Sequence, residues 1–144
     1  MSQKGYDTNL ASEFYVMSVL HRLGCDATIT LGNKKAIDIV VTRGAGEAVT
    51  IDVKAVAGKT DWLAGSGPDS PKESHFIVMV SYEGKFKEPS ELPRCWVVPH
   101  KAYLQLVKTA GTGSLKYISR KRVFTELSTY ENAWDLIVGD TKSG

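Results

Sequence analysis

Two cysteines in 144 residues are too few for a disulfide framework, and Cys25 and Cys95 are too widely spaced for a CxxC metal knuckle. Both have apolar neighbours and read as small buried hydrophobes in a reducing compartment. Long hydrophobic runs are also missing. The longest, Phe76 to Val80, falls far short of the roughly 20 residues a membrane helix requires, and Met1 to Gly5 opens no signal-peptide core. With only 5 Pro and 13 Gly, collagen-like repeats are excluded, and 42% hydrophobic residues against 24% charged excludes wholesale disorder. What remains is a soluble, cytoplasmic protein with one domain over residues 1–139 and a flexible tail at 140–144. The length leaves no room for a second catalytic domain.

The net charge is only +2, yet between Leu92 and Thr125 there are seven Lys or Arg and no Asp or Glu. A surface that gathers cations in this way suits a polyanion, although a well-solvated basic face gives the same count.

Hydrophobic periodicity orders the chain. Leu10, Phe14, Val16, Met17, Val19, Leu20 and Leu23 recur at helical spacing, with Asn9 as the expected cap and Gly24 as the stop. Ala27–Leu31, Ala36–Thr42 and Ala48–Ala55 are rich in β-branched residues, are separated by Gly-containing turns, and predict an antiparallel meander. Residues 56–74 read as a long loop, the kind that tends to carry function. His75–Tyr82 and Arg94–Val98 predict two further strands, and His100–Thr109 a helix. Leu115–Ser119 predicts a short strand and Tyr130–Val138 a closing helix, with Trp96 and Trp134 in the core.

Four polar residues interrupt this pattern. Glu13 falls within the arc of the first helix that holds Leu10, Val16, Met17 and Leu20, where an acid needs a partner. A position in the first turn, favoured by the helix dipole, is the plainer explanation. Asp38 and Asp52 each stand within an apolar strand, where Asp is poor by propensity. Alternation sets Asp52 and Lys54 on one face and Ile51 and Val53 on the other. A hairpin symmetric about Ala45 brings Asp38 opposite Asp52. Side chains so opposed lie roughly 5 Å apart and repel unless something cationic stands between them. Lys54 supplies one charge, and a hard divalent ion such as Mg²⁺ or Mn²⁺ answers the geometry better. A solvated ion cluster on a surface hairpin is the competing account.

Glu13 on the first helix, Asp38 in the second strand and Asp52-Val53-Lys54 in the third resemble the active-site signature of the PD-(D/E)XK phosphodiesterase superfamily, which includes Holliday-junction resolvases. The resemblance spans Asn9 to Ala55. It implies the restriction-endonuclease-like fold, an α/β architecture with a mixed, mainly antiparallel central sheet flanked by helices. It also implies a metal-dependent endonuclease acting on DNA, with RNA open, and working as a homodimer. Asp38 and Asp52 would bind Mg²⁺ or Mn²⁺ with the Val53 carbonyl, Lys54 would position or polarise the attacking water, and Glu13 would assist through a second ion or water. Ala36-Ile37 replaces the proline often found before the first Asp, and the helix usual after the third strand is not visible in 56–74. A module that kept the fold and lost the chemistry is the alternative.

Candidate phosphate contacts are Lys34 and Lys35 in the turn before Asp38, Lys59 after the Lys54 strand, and Arg120, Lys121 and Arg122. Trp62 reads either as a stacking platform for an unpaired base or as a hydrophobic plug pinning the loop. His21, His75 and His100 have no metal-ligand spacing and receive no role.

Overall fold

The computed structural model describes residues 2–30, 37–65, 70–111 and 115–139. The first helix, α1 (Ser2–Arg22), leads into β1 (Asp26–Ile29), β2 (Ile39–Thr42) and β3 (Ala48–Val56). After these come β4 (Trp62–Leu63), β5 (His75–Ser81), β6 (Arg94–Pro99), α2 (His100–Leu106), β7 (Lys108–Thr109), β8 (Lys116–Ile118), α3 (Arg120–Glu126) and α4 (Asp135–Val138). The central sheet has the order β1-β2-β3-β5-β6, with β3 and β5 parallel and every other neighbour antiparallel. A small second sheet runs β4-β8-β7.

Two apolar layers enclose the central sheet. Val49, Ile51 and Val53 of β3 join Val16 and Leu20 of α1, Val41, Val78, Val97 and Ile137 on one side. Ile77, Met79, Trp96 and Val98 of β5 and β6 meet Trp62, Tyr103, Leu106, Ile118 and Val123 on the other. Cys95 belongs to the first layer, and burial pushes its thiol up to about 12, which leaves it an inert hydrophobe.

The expected meander is present, with β1 and β2 four residues each and β3 one residue longer than expected. The β2–β3 ladder pairs Ile39 with Ile51 and Val41 with Val49, the register of a hairpin symmetric about Ala45. Several boundaries move. Asn9 is not a cap, because α1 begins seven residues earlier, and Gly24, at φ +86°, closes it as expected. Asp38 stands just before β2 rather than inside it. The 56–74 stretch contains β4, and its described part carries no helix, so β3 reaches its parallel neighbour β5 by way of β4. The helix from His100 stops at Leu106 and gives way to β7. The expected closing helix over Tyr130–Val138 is a 3-10 turn at Ser128–Tyr130 followed by the single turn of α4. An unanticipated helix, α3, starts at Ser119, whose hydroxyl accepts from the Arg122 amide at 3.3 Å.

Candidate active site

The site forms where β3 outruns its neighbour. β2 pairs with β3 only as far as Ile51, so the stretch from Asp52 to Val56 has β5 on one side and, among the described residues, no strand partner on the other. Asp38 closes the first step of that side. Its own amide donates to the Ile51 carbonyl at 2.9 Å, and its Oδ2 accepts the Val53 N–H at 2.7 Å. A carboxylate thus takes the place a ladder carbonyl would hold. This satisfies an amide that burial would otherwise leave costly and explains why an acid sits among Ile37, Ile39 and Val40. Asp38 is only 6% exposed.

Replacing this acceptor divides its structural role from its charge. Asp38→Asn keeps an oxygen for Val53, whereas Asp38→Ala orphans a buried N–H at a cost of about 1–3 kcal/mol. Urea denaturation should therefore show the Ala variant less stable than the Asn variant by about that amount.

Beyond Asp38 opens a cleft of about 630 Å³ lined by Gly5, Thr8, Asn9 and Glu13 of α1, by Asp38, by Asp52 through Ala57, and by Thr60, Asp61, Leu63 and Gly65. Glu13 lies in mid-helix and is 7% exposed, so the first-turn explanation fails for it. Asp52 and Lys54 share a face as alternation predicts, with Lys54 Nζ 3.2 Å from Asp52 Oδ2 and both side chains about a quarter exposed. The four residues singled out from the sequence therefore line one cavity. The sequence reading missed Asn9 and Asp61 as lining residues. Asp61 also accepts the Arg120 amide at 2.8 Å, tying the start of α3 to the rim.

The donors at this cleft are hard oxygens, with neither thiol nor imidazole in the lining. Among the described residues no three His, Cys, Asp or Glu side chains gather closely enough to hold an ion unaided. Two carboxylates and a backbone carbonyl, with water and substrate oxygen completing the shell, fit Mg²⁺ or Mn²⁺ and not a structural zinc.

Behind Asp52 and Lys54, His75 pairs in register with Thr50, and its Nδ1 lies 2.7 Å from the Thr50 hydroxyl. The His100 ring meets it edge-on at 4.8 Å. Burial lowers the His75 pKa to about 4, with Lys72, His100 and Lys54 acting in the same direction and Asp38 opposing. The unfolded chain then binds a proton that the folded chain refuses between pH 6.5 and about 4. The stabilisation is complete above pH 6.5 and is lost as the pH falls through that window, by about 1–3 kcal/mol. Denaturation midpoints should follow it, and the imidazole NMR signal of His75 should titrate near 4.

The candidate phosphate contacts fare unevenly. Trp62 is 1% exposed, its ring is edge-on to Trp96 at 5.8 Å, and its Nε1–H donates to the Val80 carbonyl at 3.3 Å. It is the plug; a ring with no open face cannot stack on a base, which corrects that expectation. Arg120 is engaged by Glu83 and lies over Phe124, Arg122 pairs with Glu126, and Arg94 pairs with Glu131. The acid-free window of the sequence is therefore partly neutralised in space by acids from outside it. Lys59 and Lys121 are exposed, Lys59 being next to the cleft-lining Thr60. Lys34 and Lys35 lie outside the described residues. No described helix is long and apolar enough to cross a membrane.

Comparison of the sequence with protein-family models and with curated proteins finds no match. Among solved structures, the bacterial homing endonuclease I-Ssp6803I is similar, with a TM-score of 0.54 over 91% of this chain and 88% of that one, at 19% sequence identity. At that identity the match bears on architecture alone. It agrees with the mixed five-stranded sheet flanked by helices, and so the chain has the restriction-endonuclease-like fold.

Proposed function

We propose that the protein is a metal-dependent endonuclease that hydrolyses phosphodiester bonds in DNA. The observation that carries this reading is that Glu13, Asp38, Asp52 and Lys54 all line one cleft beside β3. Asp38, Asp52 and the Val53 carbonyl would hold Mg²⁺ or Mn²⁺, with Glu13 reaching a second ion or a water. Such an ion, when bound, supplies positive charge against the phosphate and makes water more acidic.

The chain's own groups do the remainder. Asp38, fixed by the Val53 amide, is a preorganised carboxylate that needs no rearrangement when a ligand arrives. Lys54, held beside Asp52, brings a cation to the place where charge grows on the phosphate oxygens, and it orients the attacking water. Glu13 sits across the cleft on α1, where its carboxylate can take the proton that water gives up. Lys59 and Lys121 add sequence-independent attraction for the phosphate backbone.

The test is incubation with supercoiled, linear, single-stranded and branched DNA, and with RNA, with Mg²⁺, with Mn²⁺ and with EDTA. Cleavage of DNA that needs the metal is the expected result. Tight binding without cleavage in any metal would favour a non-catalytic nucleic-acid module on the same fold.

A further inference from the structure

Gly65, two residues past the end of β4, lines the cleft, and its φ is +76°. The left-handed backbone alone does not require glycine there, since Ser74, Glu83 and Asn132 adopt φ of 54–57° elsewhere in this chain. What sets Gly65 apart is its neighbour. A Cβ at this position would lie 3.3 Å from Lys54 Nζ, whereas a Cβ at Gly46, at φ +82°, meets nothing within 4 Å.

The backbone around Gly65 is anchored. Trp62 is buried and bonded to Val80, the Ala64 amide donates to the Lys116 carbonyl at 2.9 Å, and the Ala64 carbonyl accepts from the Tyr103 hydroxyl at 3.5 Å. Lys54 Nζ, by contrast, is the end of a flexible side chain. If a methyl group is added at 65, the group able to give way is the ammonium. The crowding then costs little in folding and falls on the placement of the amine against Asp52. We propose that Gly65 is a positioning residue for Lys54: its bare Cα forms the wall that keeps the ammonium at 3.2 Å from Asp52. This rests on the reading of the cleft as a phosphodiesterase site.

Gly65→Ala and Gly46→Ala form the comparison, since both introduce a side chain at a left-handed φ and only the first crowds Lys54. Three measurements are made: the thermal midpoint, the ¹³Cε NMR signal of Lys54 in lysine-labelled protein (assigned with Lys54→Arg), and kcat and KM for Mg²⁺-dependent plasmid cleavage. Both variants should lose thermal midpoint alike. Only Gly65→Ala should move the Lys54 signal and lower kcat, by less than the roughly hundredfold that a full ångström of misplacement costs, with KM little changed. If Gly65→Ala does not fold, Gly65→Asn, which tolerates the left-handed region, replaces it. An unmoved Lys54 signal, or cleavage equal to that of Gly46→Ala, overturns the proposal. If the wild-type protein cleaves none of the substrates, the proposed function falls, and the Lys54 signal alone decides whether Gly65 positions the amine.

Discussion

Lys54→Ala and Asp52→Asn are each expected to reduce Mg²⁺-dependent cleavage by about 10²–10⁴-fold, the range seen when one positioned charge or proton-handling group is removed from an active site. Folding should barely register either change. The Lys54–Asp52 pair is 3.2 Å apart and about a quarter exposed on both sides, and ion pairs open to solvent contribute about 0–1 kcal/mol. Neither residue belongs to the two apolar layers. A large loss of turnover beside an almost unchanged denaturation curve is therefore the signature of a catalytic pair, and the solvated-cluster account predicts no loss at all. Because the two groups touch, the double variant should fall little below the worse single one. Cleavage that survives in Lys54→Ala within about threefold would remove the lysine from the mechanism, since one hydrogen-bond-scale interaction already exceeds that.

The acids were legible in the sequence because they broke a pattern. Asp52 and Lys54 stand out against Ile51 and Val53 by simple alternation, and the β2–β3 register follows from the hairpin's symmetry. Asp38 stands outside the ladder for a physical reason: its carboxylate, not its backbone, makes the bond to the Val53 amide, so β2 starts one residue later. β4 and β7 left no trace in the sequence, being two residues long and too short for periodicity, whereas β8 falls within the strand expected over Leu115–Ser119; β4 and β8 bring Trp62 and Ile118 into the second apolar layer. Charge was the most misleading signal. Arg120 finds Glu83 and Arg94 finds Glu131, each 37 residues away, so a linear window without acids does not become a bare basic surface. The electrostatic footprint for a nucleic acid consequently rests on fewer cations than the sequence offers, with Lys59 and Lys121 exposed among those described.

Trp62→Ala should be the most destabilising single change, at about 3–5 kcal/mol, the cost of emptying a buried aromatic site. The ring is 1% exposed, contacts Trp96 at 5.8 Å and gives its indole N–H to Val80. A small domain has only about 5–15 kcal/mol in total, so the loss would take roughly a fifth or more of its stability and lower the thermal midpoint by about 10 °C. Trp62→Phe should cost clearly less, because it keeps most of the apolar volume and gives up the hydrogen bond. Since Leu63 of β4 and the nearby Gly65 line the cleft, loosening this anchor should also reduce cleavage under conditions where the variant remains folded. A base-stacking residue would behave in the opposite way: its removal would weaken binding to single-stranded DNA by about 1–3 kcal/mol and leave the melting curve where it was. Differential scanning calorimetry beside a fluorescence-anisotropy titration distinguishes the two, and a midpoint that does not move would show that Trp62 is not the plug its surroundings make it.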